Sequence, residues 1–472
     1  MPTVTRVQRS RLDLSARIDA EHYSPRFVPV LRQLAFLNTV KLRRTLREPV
    51  KTGHTPSTKN MAYYDSGLVK FVKTDNLRED RIDTYDVQLL SELGNSVIAA
   101  SELRPDDVIV TIIGATEDII GRAARTHADL GRANINQNVA LIRSHIPAGY
   151  LAVFLNSHYG REQLIWLSRQ TEQVNLNCRE VEELAIPLFA DRFISAVHDL
   201  NNQRHRLLLD SMRIYTQAEQ LLLSELGLQN WEPSPALTYV RNRSHTARAR
   251  RMDAEHFQPK YTELRAHIRN YPNGFLRITD IATNSDETIE PRAHPEQEFD
   301  YIELAGISQV IGTIESSNKV KGKDAPSRAR MLLRTGDVIA STVEGSLDKV
   351  ALVSAEYDAA IGSTGFFVLR PRTVTSGYLL ALAKSIVVRE QMRCESSGTI
   401  LAAVPAKSLR NVIVPNIPRD KRDRIAGLVQ QSHAARRGAK ALLEKAKRAI
   451  EIAIEEAEES AMFFLQQWGN GT

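Results

Sequence analysis

The sequence has 472 residues, of which 42% are hydrophobic and 25% charged, values typical of a globular protein with two or more domains. No run of about 18 apolar residues is present, and the first residues lack an apolar signal-peptide core. The sequence therefore predicts a cytoplasmic protein without membrane contacts. Two cysteines, Cys178 and Cys394, are too few for a disulfide framework or a cysteine metal cluster. The net charge of +6 is compatible with nucleic-acid binding but does not establish it.

A repeated motif divides the chain into two similar halves. The stretch "RIDAEHYSPRF" at 17–27 returns as "RMDAEHFQPKY" at 251–261, with six of eleven positions identical and an offset of 234 residues. Further matched segments follow in the same order and predict the same elements. They are 71–77 with 301–307 (strand and turn), 103–124 with 333–354 (two strands), 136–143 with 363–370, 149–164 with 377–392 (helical apolar spacing), and 182–187 with 409–415 (short strand ended by proline). Each half is thus predicted to be an α+β domain.

A long helix is predicted after each half. Residues 190–226 contain no glycine or proline, and their apolar residues alternate at spacings of three and four, with Arg204 and Ser211 interrupting the same register. The second helix is predicted from after Pro418 to about Phe464. Its predicted seam is Ile425, Leu428, Ala435, Ala439, Leu442, Ala446, Ala449 and Ala453. The spacing favours a coiled coil over two long helices packed on their own domains.

The predicted fold is therefore α+β, with two repeated domains separated by two long antiparallel helices and related by a pseudo-twofold axis. The predicted ranges are 1–187 for the first domain, 188–228 for the first helix, 229–415 for the second domain and 416–472 for the second helix.

Common catalytic motifs are absent from the sequence. It contains no G-x-G-x-x-G, no G-x-x-x-x-G-K-[ST], no H-E-x-x-H and no Asn-Pro-Pro-Tyr stretch. The repeated Asp-Ala-Glu-His could suggest a metal or acid–base site, since Asp19 and His22 would share one face of a helix. One histidine beside two acids is more often a salt bridge or a helix cap, so no metal site is predicted.

Polar side chains collect in loops that differ between the halves. Hydroxyl, amide and lysine side chains suit contacts with phosphates and base edges, although a surface loop without a role is the alternative. In the first half the candidates for DNA binding are Lys51, Thr52, His54, Thr55, Ser57, Thr58, Lys59, Lys73, Thr74, Asn76, Asn136, Gln137, Asn138, Gln170 and Gln173. In the second half they are Ser346, Lys349, Ser363, Thr364, Ser397 and Thr399. The counterpart of loop 50–67 in the second half, residues 283–300, is acidic and quite different.

The order of these segments resembles the specificity subunit of type I restriction–modification systems. "TGHTPSTKNMAYYDSGLVKFVKTDNL" resembles an early segment of the family's target-recognition domain, with its Gly-x-Thr-Pro-Ser loop. "LRPDDVIVTIIGATEDIIGRAA" and "LRTGDVIASTVEGSLDKVALVS" resemble the family's Gly-Asp-Val-Leu strand pair. "REVEELAIPLF" and "AKSLRNVIVPNIP" resemble the strand and proline that end each target-recognition domain. The likeness covers nearly the whole chain, but the Gly-x-Thr-Pro-Ser loop is missing from the second half.

The resemblance implies a non-catalytic protein whose two target-recognition domains bind a bipartite site in double-stranded DNA, with the long helices as the spacer. It implies partner adenine-type DNA methyltransferase subunits, two of them, and allows for a restriction translocase–nuclease subunit. S-adenosylmethionine, and ATP and Mg²⁺ where that subunit is present, would be held by these partners, and no cofactor is expected in this chain.

Two other functions stay open at this stage. A DNA enzyme with an unrecognised active site would act on DNA as the purified chain alone. A coiled-coil scaffold that binds only protein would not bind DNA even with its partner.

Overall fold

The computed structural model describes residues 21–64, 67–170, 174–232, 235–398 and 402–467. The chain divides into two compact units. Unit 1 comprises residues 1–206 and 438–472, and unit 2 comprises residues 207–437. The division falls inside both long helices, so each of them contributes one half to each unit. Among the described residues, no helix combines the length and the apolar character that crossing a membrane requires.

The helices have the following bounds. They are α1 Val28–Ala35, α2 Glu92–Val97, α3 Ala148–Asn156, α4 His158–Leu167, α5 Cys178–Glu182, α6 Asp191–Glu225, α7 Arg243–Ala249, α8 Pro259–Arg269, α9 Ile278–Ile281, α10 Ser376–Lys384, α11 Ile386–Glu395, α12 Arg419–Glu455 and α13 Glu458–Gln467.

The strands of both units are short. In unit 1 they are β1 Thr39–Lys41, β2 Lys51–Thr52, β3 Val69–Val72, β4 Leu77–Arg78, β5 Arg81–Ile82, β6 Leu89–Leu90, β7 Val108–Thr111, β8 Ile113–Gly114, β9 Ala123–Arg125, β10 Ala133–Ile135, β11 Val139–Ile142, β12 Arg169–Gln170, β13 Val174–Asn175 and β14 Ala185–Pro187. In unit 2 they are β15 Phe275–Arg277, β16 Ala282–Asn284, β17 Glu298–Ile302, β18 Asn318–Lys321, β19 Ala329–Leu332, β20 Val338–Ser341, β21 Val350–Leu352, β22 Ile361–Ser363, β23 Phe366–Pro371 and β24 Ile413–Pro415.

The two units share their strand order. The sheet β2-β11-β7-β9 of unit 1 corresponds to β16-β23-β20-β21 of unit 2, and the pair β1-β14 corresponds to β15-β24. In a further sheet of each unit, β10 lies parallel to β3 and β22 lies parallel to β17. Unit 2 adds the strand β19 beside β22. The predicted α+β class and the predicted structural repeat are therefore confirmed.

The segment predicted to be helical in each half is two helices. In unit 1 the break falls at Ser157, whose hydroxyl accepts a hydrogen bond from the Gly160 amide at 3.4 Å and so caps α4. A Cβ atom at Gly160 would lie 2.1 Å from the Phe154 carbonyl oxygen, so the turn between α3 and α4 needs glycine there. In unit 2 the equivalent break falls at Ser385.

The repeated Asp-Ala-Glu-His motif has a structural role in both units. The His22 ring donates through Nδ1 to the Trp166 carbonyl oxygen at 3.1 Å. The His256 ring makes the same bond to the carbonyl oxygen of Cys394 at 2.7 Å. Each histidine thereby ties the repeated motif to the end of α4 or α11. The part of the first copy that contains Asp19 lies outside the described residues.

A buried ion pair also recurs. The Arg143 guanidinium lies 2.7 Å from the Asp107 carboxylate in unit 1, and both side chains are at least nine-tenths buried. In unit 2, Arg370 lies 2.9 Å from Asp337. In both units the aspartate also accepts a hydrogen bond from the backbone amide three residues before it. The pair therefore joins the turn before one central strand, β7 or β20, to the end of the neighbouring strand, β11 or β23.

The first long helix agrees with its predicted range, and its polar interruptions are buried. In unit 1, the Arg204 guanidinium lies 3.0 Å from the carboxylate of Asp80. In unit 2, the hydroxyls of Ser211 and Ser432 lie 3.3 Å apart, and Lys421 forms an ion pair with Glu225 at 2.7 Å. Within unit 2 the two helix halves therefore run antiparallel, as predicted.

The second long helix is shorter than predicted. It ends at Glu455, and α13 begins at Glu458. Glutamates are unfavourable at the C-terminal end of a helix and favourable in the first turn of the next one, so the acidic run 455–459 favours a break there. Glu458 accepts a hydrogen bond from the backbone amide of Ala190 at 2.8 Å, which holds the start of α13 against the start of α6.

The predicted seam of this helix is also partly wrong. Leu428, Ala435 and Leu442 are only partly buried, whereas Val429, Ser432 and Leu443 are buried. The helix packs against strands and helices of each unit as well as against α6. Its buried face is therefore broader than a coiled-coil seam.

Two histidines of unit 1 stack on each other. The rings of His127 and His205 lie 3.5 Å apart and are nearly parallel, and the ring of His205 lies 2.8 Å from the Asp129 carboxylate. Burial, together with unfavourable electrostatic interactions with His205 and Arg125, lowers the pKa of His127 to about 3. The folded unit therefore holds a neutral His127.

This stack predicts that the chain loses stability as pH falls. Because the folded pKa lies below the ordinary value of 6.5, the unfolded chain takes up the proton first. The contribution of the neutral His127 to the free energy of unfolding is complete above about pH 6.5 and is lost as the pH falls toward 3. The loss is about 1 kcal/mol per pH unit. We expect His127→Gln to flatten urea-unfolding stability between pH 7 and pH 5. His145→Gln removes an exposed imidazole and is the control; equal slopes for both variants would contradict the prediction.

Candidate nucleic-acid interface

Loop 53–60 of unit 1 is held against the turn after β10. A Cβ atom at Gly53 would lie 1.7 Å from the carbonyl oxygen of Ile135, so the two backbones cross in direct contact. Two residues later, the Thr55 hydroxyl donates to the side-chain oxygen of Gln137 at 2.6 Å. Loop 53–60 and turn 136–138 therefore form one surface.

A second turn joins this surface. The Asn136 amide donates to the carbonyl oxygen of Val72 at 3.3 Å, which places turn 136–138 beside the end of β3 and the turn 73–76. The Thr74 hydroxyl lies 3.5 Å from the Ile113 carbonyl oxygen, at the start of β8. Because β8 pairs with β13 and β13 with β12, the polar segments predicted from the first half come together at one end of the sheets.

The side chains on this surface divide into two groups. Asn76 is used inside its turn, since its oxygen accepts from the Lys73 amide and its nitrogen donates to the carbonyl oxygen of Asp83. Asn136 is buried, and its oxygen accepts from the amide of Asn138 at 3.2 Å. The exposed group, which is free to meet a ligand from solvent, is His54, Ser57, Thr58, Lys59 and Gln137.

The lysines of this surface differ in how far their charge is compensated. Lys51 and Thr52 lie in strand β2 and not in the predicted loop, because β2 pairs with β11 at the edge of a sheet. Lys51 forms an ion pair with Glu48 at 3.0 Å. The hydrogen bond from Lys51, and then that from Arg143, holds the pKa of Glu48 below its ordinary value. Lys59 is exposed, and no described residue pairs with it. The ammonium of Lys73 donates to Gln88.

In unit 2 the candidate segments also lie close together. Val343 and Ser397 both pair with Ala403, and the Thr342 hydroxyl donates to the carbonyl oxygen of Gly365 at 3.0 Å. The Thr364 amide donates to the Arg328 carbonyl oxygen at 2.8 Å. The segments containing the candidates Ser346, Lys349, Ser363, Thr364 and Ser397 are thus brought together.

Several of these unit 2 side chains bond within the protein. The hydroxyl of Ser346 lies 3.0 Å from that of Ser341, and the ammonium of Lys349 donates to the Leu304 carbonyl oxygen at 2.8 Å. Ser363 is buried and accepts from the amide of Gly365. Thr364 and Ser397 are exposed. Gln173 and Thr399 lie outside the described residues, as does the side chain of Gln170.

Three exposed residues on these surfaces were not predicted. Arg169 and Asn175 lie on the paired strands β12 and β13 of unit 1, beside the predicted Gln170. Arg328 precedes β19 and lies against the turn that bears Thr364. The polar composition of segment 169–177 predicted Gln170 and Gln173 but did not single out Arg169 and Asn175 among its polar residues. Arg328 precedes β19, the strand that unit 2 adds to the repeat, so the alignment of the halves did not point to it.

One group of side chains has the composition of a metal site. Among the described residues, only His256, Cys394 and Glu395 offer three such ligand atoms, all within 4.8 Å of one another. Burial raises the pKa of the Cys394 thiol to about 11, which disfavours the thiolate that binds metals. Glu395 forms an ion pair with Arg265 at 3.1 Å, and the His256 Nδ1 bond to the Cys394 carbonyl oxygen repeats that of His22. The arrangement is that of a structural contact.

Comparisons with known proteins give matches at the level of structure only. No protein-family model matches the sequence, and no curated protein matches it. A type I restriction-modification system S subunit from M. genitalium aligns with 91% of this chain and 96% of its own, at 12% identity and a TM-score of 0.34. The HsdS subunit from Thermoanaerobacter tengcongensis aligns with 89% of this chain and 97% of its own, at 16% identity and a TM-score of 0.29.

A third solved structure comes from work on complex assembly and conformational transition of the type I R-M system. It aligns with 89% of this chain and 97% of its own. Its identity is 17% and its TM-score 0.29. TM-scores this low do not establish a common fold. The function is therefore inferred from the sequence and from the geometry of the two units.

Proposed function

We propose that the chain is the DNA-sequence specificity subunit of a type I restriction–modification system. One observation carries the proposal: two units with the same strand order present different side chains at equivalent turns. Turn 136–138 of unit 1 has Asn-Gln-Asn, where turn 363–365 of unit 2 has Ser-Thr-Gly. A shared framework with variable polar turns suits two readers of two different half-sites, and the sequence resemblance to this family supports the same assignment.

The chemistry of the exposed side chains suits base recognition. A glutamine amide can form two hydrogen bonds with adenine in the major groove, while hydroxyl groups and lysines bind phosphates or bases. The bond from Thr55 leaves the Gln137 amide nitrogen free to donate to a ligand and fixes the side-chain orientation. Lys59, exposed beside it, would bind a phosphate and add salt-dependent affinity.

The catalytic steps are assigned to partner proteins. The chain would bind a bipartite site in double-stranded DNA and position two adenine-type DNA methyltransferase subunits, which would hold S-adenosylmethionine and receive the flipped base. A translocase–nuclease subunit with ATP and Mg²⁺ would be an additional partner. The two long helices would act as the spacer and fix the gap between the half-sites.

The proposal is tested by mapping adenine methylation. The full chain is co-expressed with a candidate adenine-methyltransferase partner, and the methylated sites of the host genome are sequenced. We expect one bipartite motif. Gln137→Ala should relax preference at one or two base pairs of one half-site, because a bidentate pair of hydrogen bonds to a base supplies about 1–3 kcal/mol of discrimination, and should leave the other half-site unchanged.

The matched control is Gln217→Ala, which removes an exposed glutamine from α6 and should leave the motif intact. A chain that assembles with the methyltransferase but directs no sequence-specific methylation would favour a protein-binding scaffold. DNA modification by the purified chain alone would favour an enzyme with an unrecognised site.

A further inference from the structure

A basic segment precedes the repeated motif of unit 2. Between Glu232 and Asp253 the sequence contains no acidic residue and five arginines, namely Arg241, Arg243, Arg248, Arg250 and Arg251. The last four span helix α7 and its C-terminal end. Such a concentration of unopposed positive charge repels itself unless anions lie nearby, so it indicates a surface built to meet them.

The arginines of this segment fall into two classes. Arg243, Arg248 and Arg250 are exposed, and no described residue pairs with them. Arg241 and Arg251 instead anchor the segment. Arg241 donates to the carbonyl oxygen of Phe257 at 2.6 Å, and Arg251 forms an ion pair with Asp253 at 2.6 Å. The three free guanidinium groups are therefore carried on a segment that is attached at both ends.

The anchor places the segment beside the candidate DNA surface. The Arg251 guanidinium also donates to the carbonyl oxygen of Ser396 at 2.6 Å. The next residue, Ser397, pairs with Ala403, and Ala403 pairs with Val343. The basic segment is therefore attached at Ser396, which is the residue directly before the segments proposed to contact DNA in unit 2.

We propose that Arg243, Arg248 and Arg250 form a phosphate-binding surface that grips the DNA backbone outside the base-reading turns of unit 2. The ligand is duplex nucleic acid, recognised by charge and without base preference. This inference rests on the proposed function, because it assigns the backbone part of that interaction. Arginine suits the role, since its planar guanidinium binds two phosphate oxygens at once and keeps its charge at any physiological pH.

The unit 2 turns explain why such a surface is needed. The ammonium of Lys349, which the sequence predicted to bind DNA, is bonded to the Leu304 carbonyl oxygen. The exposed candidates Thr364 and Ser397 are uncharged. Arg328 is the exposed cation described beside Thr364. Since phosphate neutralisation supplies much of the affinity of DNA-binding proteins, further cations of unit 2 would add to that affinity.

The test measures how binding to DNA depends on salt. The full chain, purified with its methyltransferase, is titrated with a fluorescent random-sequence duplex at several salt concentrations. For the variant R243Q/R248Q/R250Q we expect weaker binding and a slope of log K against log salt that is lower by about 2.7 than in the wild type, at about 0.9 for each phosphate that is no longer neutralised. The methylated motif should not change.

Two further variants make the result specific. R243K/R248K/R250K keeps the charges and should restore most of the slope. K319Q/K321Q/K323Q removes the same net charge from β18 and the residues after it, where the lysines already pair with Glu296, Glu298 and Asp300, and should change the slope little. All these side chains reach solvent, so all three variants should keep the wild-type thermal unfolding.

The possible outcomes separate this inference from the proposed function. A wild-type complex that does not bind the duplex overturns the proposed function itself. A wild-type complex that binds, with an unchanged slope in the glutamine variant, overturns only the phosphate-binding surface. An unchanged slope combined with loss of the methyltransferase on purification would show that the segment binds an acidic protein surface instead.

Discussion

Replacing Arg143 by alanine is expected to lower the free energy of unfolding by about 3–5 kcal/mol, the usual cost of leaving one member of a buried ion pair without its partner. Arg143 and Asp107 are both at least nine-tenths buried. The guanidinium also donates to the carbonyl oxygen of Glu102 at 2.8 Å and pairs with Glu48. Its loss would leave an unneutralised carboxylate inside the framework that carries loop 53–60 and turn 136–138.

Urea unfolding followed by far-ultraviolet circular dichroism measures this effect. The control Arg43→Ala removes an exposed partner of Glu183, so its cost should stay below about 1 kcal/mol. Arg370→Ala tests the same ion pair in unit 2 and should cost less than Arg143→Ala, because the Arg370 side chain is 32% exposed and that of Arg143 is 8% exposed. If Arg143→Ala and Arg43→Ala were equally stable, the buried pair would contribute nothing to the fold.

Replacing Gly53 by alanine is expected to weaken recognition of one half-site while the chain stays folded. The new Cβ atom would lie 1.7 Å from the Ile135 carbonyl oxygen and 2.5 Å from its carbon. Both are backbone atoms, so the loop itself must move away. The bond from Thr55 to Gln137 would then break, and the exposed residues 57–59 would leave their positions. Failure to read one or two base pairs would weaken specific binding about 10-fold or more.

Methylation of a wild-type site by the reconstituted complex, compared with thermal unfolding, measures recognition separately from folding. Gly427→Ala is the matched control, because nothing lies within 4 Å of the Cβ position on α12. It should keep the methylation rate. Wild-type methylation by Gly53→Ala would mean that the crossing of the two backbones does not position the loop.

The repeat was the part of the fold best predicted from sequence. Similar segments that occur in the same order in both halves imply equivalent strands. The pairing of β7 with β11 and of β20 with β23 agrees with that expectation. The long helices were also predictable, since an absence of glycine and proline over more than thirty residues of the first one leaves few other structures. Their inner faces were not, because which residues are buried depends on the strands and helices packed against them. The partial exposure of Leu428 and the burial of Ser432 follow from that packing.

The candidate site was predictable as a set of segments but not as a set of side chains. Polar composition identified loop 50–67 and the turns after β3 and β10. It could not show that Asn136 is buried or that Lys349 bonds to a carbonyl group, because an amide or ammonium group serves a turn as readily as a ligand. The arginines of the segment before Asp253 lie outside every matched loop, so the similarity of the two halves did not point to them.

The division of the long helices has a consequence for synthesis on the ribosome. Unit 2 is one continuous stretch, residues 207–437, whereas unit 1 takes its last part from residues after 437. The core of unit 1 packs Val30 and Phe154 together with Leu443 and Ile450 of the second helix. A nascent chain can therefore complete its second unit while the first still lacks part of its core. We therefore expect unit 2 to finish folding before unit 1, the reverse of the usual order, in which the N-terminal domain folds first.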